Sequence, residues 1–262
     1  MRTTSLLASA PDFTVRAVTC RDDRKSWSAP EVRTDFGVVL ARRGRFSWSS
    51  RGQVVEVDAT VGYLSVPGCA ERFAHPAGGD ECTGVSFSGA LWRTDVHPVI
   101  YVDARLDLAH RRLLRSVRSG DVSFAVTEEL LGLLAVASRS PVLALSGDRA
   151  LLAAAREAVL AFDPAARGLM PLAAWLGVSP YRLSRVFTRS LGVSLTQYRN
   201  RVRVGRALDR LEAGERNLAV LAADLGFADQ AHLTRTMRAH LGSTPRALLQ
   251  ESSIPARSSG TG

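Results

Sequence analysis

Leu169-Met-Pro-Leu-Ala-Ala-Trp-Leu-Gly-Val-Ser-Pro-Tyr-Arg-Leu-Ser-Arg-Val-Phe-Thr-Arg-Ser-Leu191 is the stretch whose reading decides the rest of the chain. Leu172, Ala173 and Leu176 put an apolar face on a first short helix. Gly177 permits the left-handed backbone that a tight turn between helices requires. Ser179 is a good N-cap, and Pro180 suits the first helical position. Leu183, Val186 and Phe187 then recur at helical spacing, which turns Tyr181, Arg182, Ser184, Arg185 and Arg189 outward. Two helices at a tight turn, the second with an exposed basic face, form a helix-turn-helix pattern whose second helix can enter a major groove. One such unit alone is equally well read as two packed helices with no polyanion partner.

The pattern does not stand alone. A longer helix is expected over 194–211, with Leu195, Tyr198, Val202 and Leu208 as its inner stripe. Arg199, Arg201, Arg203, Arg206 and Arg210 crowd its other sides. Glu212-Ala-Gly-Glu215 ends it, with Gly214 as the stop. About fifty residues after the first unit the plan repeats, which marks an internal duplication. Asn217 caps Leu218-Ala-Val-Leu-Ala-Ala-Asp-Leu225, Gly226-Phe227 turns, and Asp229 caps a further helix. On that helix Leu233, Met237 and Leu241 face inward, while Gln230, Ala231, His232, Arg235 and Arg238 can face outward. Gly242-Ser-Thr-Pro245 opens a last short helix.

Charge follows the same division. Of a net charge of +9, residues 149–262 hold 16 arginines against 8 acids, while residues 1–148 hold 18 Lys plus Arg against 17 Asp plus Glu. A basic half beside a neutral half implies a polyanion partner for the basic half.

Four segments carry a resemblance: Leu176-Gly-Val-Ser-Pro-Tyr-Arg-Leu-Ser-Arg-Val-Phe187, Arg203-Val-Gly-Arg-Ala207, Ala222-Ala-Asp-Leu-Gly-Phe227 and His232-Leu-Thr-Arg-Thr-Met-Arg-Ala-His-Leu-Gly-Ser-Thr-Pro245. In order, turns and spacing they resemble the AraC/XylS family of bacterial transcription regulators, over roughly 151–250. The resemblance implies sequence-specific binding to double-stranded DNA, with each unit's second helix in a major groove. It implies base reading by Tyr181, Ser184 and Arg185 in the first unit and by Gln230, Ala231, His232 and Arg235 in the second. Arg182, Arg189, Arg199, Arg201, Arg203 and Arg238 are the expected phosphate contacts. A guanidinium can bind guanine in a bidentate way, which favours Arg185 and Arg235 as base readers; phosphate contact is their alternative. The family pattern usually has Phe where this chain has Leu233 and Met237; both replacements keep the core apolar.

The first hundred residues read as β structure. Phe36-Gly-Val-Val-Leu40, Gly44-Arg-Phe-Ser-Trp48, Gln53-Val-Val-Glu-Val57, Val61-Gly-Tyr-Leu-Ser-Val66 and Glu81-Cys-Thr-Gly-Val-Ser-Phe87 are short and rich in valine and aromatics. Turn residues separate them, as in an antiparallel sandwich or barrel. Two amphipathic helices follow, over 103–118 and 121–138. The expected fold class is α+β: a small cupin-like β-barrel with two helices, then an all-α domain with two helix-turn-helix units. The expected divisions are 1–102 for the barrel, 103–145 for the helical pair, 146–251 for the DNA-binding domain and 252–262 for a disordered tail. Family members of this layout sense a small molecule in the barrel and dimerise through the helices. An effector and a homodimer are therefore expected partners, with RNA polymerase as a further candidate.

Other classes are disfavoured. A metal-dependent cupin enzyme needs a close histidine pair with a carboxylate and another histidine. The barrel region holds His75 and His97 and no His-x-His. Neither a phosphate-binding glycine loop nor a nucleophile elbow is present. The chain is expected not to be an enzyme and to need no cofactor. A constitutive DNA-binding protein with an inert barrel is the remaining alternative. No run suits a membrane span, and Met1 to Ala10 reads poorly as a signal peptide, so a cytoplasmic location is expected. Cys20, Cys69 and Cys82 are odd in number and argue against a disulfide framework. Cys20, His75 and Cys82 are a weak candidate metal or redox set, if Pro76-Ala-Gly-Gly79 turns a hairpin that brings His75 to Cys82. Buried thiols and a surface histidine are the plain alternative.

Overall fold

Alternation of buried and exposed side chains governs the N-terminal half, and strands follow from it. The computed structural model describes residues 1–92, 97–140, 143 and 148–253. Its strands are β1 Arg2–Ala10, β2 Phe13–Cys20, β3 Glu31–Val32, β4 Phe36–Arg43, β5 Phe46–Ser50, β6 Gln53–Val57, β7 Val61–Ser65, β8 Ala70–Ala74, β9 Asp80–Phe87 and β10 Val99–Tyr101. They pair antiparallel in two sheets, ordered β1-β2-β9-β4-β7-β10 and β3-β8-β5-β6. The inner face closes over Phe46, Trp48 and Tyr63, with Trp48 stacked on Tyr63 at 4.7 Å between centroids. The other face of the larger sheet presents Val38, Leu40, Val85 and Phe87 to a second core.

Nine α-helices complete the described residues: α1 Ala104–Ser119, α2 Thr127–Ala137, α3 Arg149–Leu160, α4 Leu169–Trp175, α5 Pro180–Leu191, α6 Leu195–Glu212, α7 Leu218–Asp224, α8 Gln230–Leu241 and α9 Pro245–Ser253. The Asp103 carboxylate caps α1 by accepting from Leu106 N at 2.8 Å. Asp121 also caps, as expected, but the segment it opens is a single π-helical turn, Val122–Val126, that runs into α2. The fold is α+β, a β-rich half of two antiparallel sheets followed by a helical half. The expected breaks at 141–142 and 146–147, and residues 254–262 of the expected tail, lie outside the described residues.

The apolar stripes of the helical pair do not face outward. Leu106 and Leu113 of α1 and Leu130, Leu133 and Leu134 of α2 pack into the core on the larger sheet. Another side of α1 carries Ala104 and Leu108 into the core of the second helix-turn-helix unit. α1 is thus wedged between the barrel and the C-terminal helical half. The stripes that suggested a dimer contact cover the chain's own sheet, because burying them there removes more apolar surface from water than leaving them on a helix face.

Candidate nucleic-acid interface and barrel cavity

Each helix-turn-helix unit is built by the same local chemistry. Gly177 and Gly226 take φ of +65° and +71°, and the bond pair Gly177 N→Ala174 O and Val178 N→Ala173 O recurs as Gly226 N→Ala223 O and Phe227 N→Ala222 O. The second helix of each unit is capped by a side chain: Ser179 accepts from Arg182 N at 3.2 Å, and Asp229 accepts from His232 N at 2.6 Å. Leu183 and Phe187 anchor α5, and Leu233 and Met237 anchor α8, all fully buried. Between them α6 starts with a capping box of Ser194 and Gln197.

The base-reading candidates lie on these two helices. Tyr181 is 68 % exposed, and the Arg185 guanidinium lies 5.3 Å over its ring while donating to its hydroxyl at 3.0 Å. Ser184 is half-buried beside them; Gln230, Ala231 and Arg235 are exposed on α8. His232 is held on its own turn: its ring sits edge-on to Phe227 at 5.4 Å, and Nδ1 accepts from Ala228 N at 3.3 Å.

Among the phosphate candidates, Arg189 and Arg238 are exposed in the last turns of α5 and α8. Arg182 is exposed but paired with Asp148 at 2.6 Å. Arg199 donates to the Arg167 carbonyl, and Arg203 lies 5.4 Å over the Phe227 ring; both are half-buried. Burial, then the Arg199 charge, lowers the Arg203 pKa from its ordinary value.

Arg201 is a correction. It is 3 % exposed and faces inward, so it has no path to a phosphate. Its Nε donates to Val102 O at 2.7 Å, Nη2 to Ala59 O at 3.0 Å, and Nη1 pairs with Asp107 at 3.2 Å. Burial alone would raise the Asp107 carboxyl; Arg201 and Arg111 outweigh it and hold that carboxyl below its ordinary range. Position 201 falls on the helical stripe of Tyr198, Gly205 and Leu208, and that signal could have found it.

Arg201 belongs to a buried polar seam that joins the two halves. Arg156 of α3, 3 % exposed, donates to the Asp58 carboxylate and to Glu56 O. Asp58 also takes the Thr60 hydroxyl at 2.7 Å, and Thr60 meets the Tyr198 hydroxyl at 3.0 Å. Burial and then the Asp58 charge push the Tyr198 hydroxyl up to about 12. Arg111 reaches from α1 to Asp209 at 2.7 Å and Glu212 at 2.8 Å on α6. Sequence reading missed Asp58, Asp107, Arg111 and Arg156, because partners about a hundred residues apart leave no local pattern.

Between the sheets lies a cavity of about 510 Å³, with Val18, Val39, Phe46, Tyr63 and Phe73 on its apolar walls and Arg2, Arg16 and Arg33 among its polar ones. Cys20, His75, Asp80 and Cys82 line the same cavity. The expected hairpin over 76–79 is instead a crossover, since β8 belongs to the smaller sheet and β9 to the larger. It delivers His75 to Asp80, Nδ1 to Oδ1 2.6 Å, and not to Cys82. Cys82 donates to the other Asp80 oxygen at 3.2 Å. Cys69 lies apart from this cluster, its sulfur accepting from Arg51 Nε at 2.9 Å.

Residues 172–251 match the family model of a helix-turn-helix domain. No curated protein sequence matches the chain. Among solved structures, the chain is similar to ToxT from Vibrio cholerae O395, with 11 % identity, a TM-score of 0.38, and 93 % of this chain and 99 % of that chain covered. It is similar also to unsaturated fatty acid-bound ToxT from Vibrio cholerae strain SCE256, with 10 % identity, a TM-score of 0.37, and 92 % and 96 % covered. A cupin superfamily protein from Desulfitobacterium hafniense is similar over 34 % of this chain and 78 % of its own, with 10 % identity and a TM-score of 0.30. No helix among the described residues is long and apolar enough to cross a membrane.

Proposed function

We propose that the chain is a DNA-binding transcription regulator of the AraC/XylS type, that α5 and α8 read two successive major-groove segments and that the barrel cavity takes a small-molecule effector; the helix-turn-helix match over residues 172–251 supports the reading. The observation that carries the DNA reading is the duplicated presentation: two capped helices with exposed polar faces, held by one intervening helix. Tyr181, Ser184 and Arg185, with Gln230, Ala231 and Arg235, supply base-edge donors, acceptors and a methyl. Arg189 and Arg238 supply phosphate contacts that set register.

Hydroxyl-radical footprinting on a selected site tests it. Each protomer should protect two patches about 10 base pairs apart on one face. A single protected patch counts against the paired reading.

The effector reading rests on the cavity, whose volume falls in the range of about 300–1,000 Å³ of small-molecule sites. Phe46 and Tyr63 of the cavity wall share a core with Leu152 and Val159 of α3 and Val202 of α6, which supports a route from a bound molecule to those helices. An effector shifts DNA affinity; an inert barrel leaves it the same whatever small molecule is added. Homodimerisation is assigned to Phe124, 78 % exposed, and Leu131, 47 % exposed, on the outer side of the helical pair. Sedimentation velocity on Phe124→Asp should then give a monomer where the parent gives a dimer, and a parent monomer at micromolar concentration ends that assignment.

A further inference from the structure

We propose that Cys20, His75 and Asp80 form a binding site for a zinc-like divalent cation, with one coordination position left open to the barrel cavity. The three come from separate segments: the last residue of β2, the crossover after β8 and the first residue of β9. A sulfur, a ring nitrogen and a carboxylate oxygen from them lie within 4.8 Å of one another. Tetrahedral zinc with donors at 2.0–2.3 Å holds those donors about 3.3–3.8 Å apart. Binding therefore needs the longest of these separations to close by about 1 Å and the His75–Asp80 contact to open from 2.6 Å. On binding, the cation displaces the proton shared between His75 and Asp80 and the thiol proton of Cys20, and both protons leave to solvent.

The backbone beneath the cluster is packed more tightly than an ion pair needs. Cys20 and Asp80 are Cα partners in the β2–β9 ladder. A Cβ added at Gly79 would come within 2.6 Å of the Cys20 carbonyl oxygen. One added at Gly44, where φ is +71°, would come within 2.4 Å of the Gly79 carbonyl oxygen and 2.9 Å of Asp80 Cα. Glycine at both positions lets three chain segments meet and fixes where the Cys20 and Asp80 side chains start. The second Asp80 oxygen accepts from the Cys82 thiol, which orients the carboxylate as an outer partner orients a metal ligand. Cys82 thus acts on the site through Asp80.

Donor chemistry selects the ion. A set of one thiolate, one imidazole and one carboxylate suits zinc and its borderline neighbours and not magnesium or calcium, which take oxygen alone. Three protein ligands beside a cavity correspond to an exchangeable site, since structural zinc is closed by four. The site is independent of DNA: it is complete within the barrel.

The test uses the full-length protein, reduced and stripped with chelator, and titrated with Co²⁺ and then Zn²⁺. One Co²⁺ per chain is expected, with a thiolate-to-cobalt charge-transfer band in the near ultraviolet that Zn²⁺ displaces. Cys20→Ser changes one atom and should abolish the band. His75→Ala should weaken Co²⁺ binding at least about 10-fold, and Cys82→Ser should weaken it by about 10–100-fold while keeping the band. Cys69→Ser, outside the cluster, should bind as the parent does. Zn²⁺ should raise the melting temperature of the parent and not of Cys20→Ser, which shows that the variant folds and that the ion is the cause. No band and no Zn²⁺-dependent melting shift in the parent, a band that survives Cys20→Ser, or one lost in Cys69→Ser overturns the proposal.

Discussion

Arg201 and Arg203 stand two residues apart on α6 and do opposite work. Arg201 is buried on Val102 O, Ala59 O and Asp107, whereas Arg203 keeps part of its surface over the Phe227 ring. Removing Arg201 leaves two buried carbonyls without their donor and Asp107 with Arg111 as its remaining partner, so Arg201→Ala should cost about 3–5 kcal/mol of folding stability. Its effect on DNA affinity should then follow unfolding and leave the salt dependence unchanged. By contrast, Arg185→Ala and Arg235→Ala are expected to leave stability within about 0.5 kcal/mol, as exposed positions do. Each should weaken the selected site by about 1–3 kcal/mol and relax base preference locally. Equal losses on selected and random DNA would move both to the phosphate contacts. His110, buried on α1 with Nε2 unpartnered, gives a pH signature. Burial pushes its pKa down to about 4, with Arg111 and Arg42 adding to the shift and Asp107 opposing it. In the unfolded chain the value is about 6.5, so between the two the unfolded state holds the extra proton. Stability should fall as pH drops from 6.5 to 4, by about 3 kcal/mol in all, with no contribution above 6.5. Urea melts of His110→Leu across that window should show the shallower fall; equal slopes would remove His110 as the cause.

At the scale of elements, the helical half was legible because its signals are local. Ser179, Asn217 and Asp229 cap the helices that they were read to cap, and Gly177 and Gly226 make the two turns. Caps and turns depend on residues within four positions, so sequence order contains them. Gly177→Ala checks one such turn. A Cβ there meets no atom within 4 Å, so the cost is that of the left-handed backbone alone, about 1–2 kcal/mol in a thermal melt. No measurable loss would mean that the turn relaxes. The barrel was read in part. β6 was read at its observed bounds and β4, β5, β7 and β9 within three residues, whereas β1, β2, β3, β8 and β10 were not among the segments read as strands. β1 is mostly exposed and rich in Ser and Thr, and β3 and β10 span two and three residues, too short for alternation to register. The crossover over 76–79 carries the turn residues of a hairpin, yet β8 and β9 enter different sheets. Strand partnership is a long-range choice that turn chemistry alone does not make. For that reason the cavity cluster was half legible: Cys20 and His75 meet, but Asp80 takes the place given to Cys82.

At the scale of the molecule, the division that composition announces does not become a division in space. Charge separates a neutral half from a basic one, yet Phe46, Trp48 and Tyr63 of the barrel share one continuous core with Leu152, Val159 and Phe187 of the helical half. Through that core run Arg156 and Asp58, each nearly without exposure, and their pairing is a buried charge contact from α3 to the loop after β6; Arg45 and Glu157 make a more exposed charge contact between barrel and α3 at 2.8 Å. Burying both charges is costly, and their mutual attraction with the Thr60 and Glu56 O bonds offsets it. Removing one partner leaves the other charge buried and uncompensated, so Arg156→Ala should cost about 3–5 kcal/mol. Arg156→Met with Asp58→Leu replaces both charges by apolar groups and should recover most of that loss. Calorimetry should find one cooperative transition in the parent, since the two halves share a core. In Arg156→Ala the barrel and the helical half should melt apart, as two transitions, because an unpaired Asp58 carboxylate is then left buried where barrel and α3 meet. If the single variant still melts once, within about 1 kcal/mol of the parent, then the apolar core alone couples the halves. The route by which an occupied cavity reaches α5 is then that core, from Phe46 and Tyr63 to Phe187.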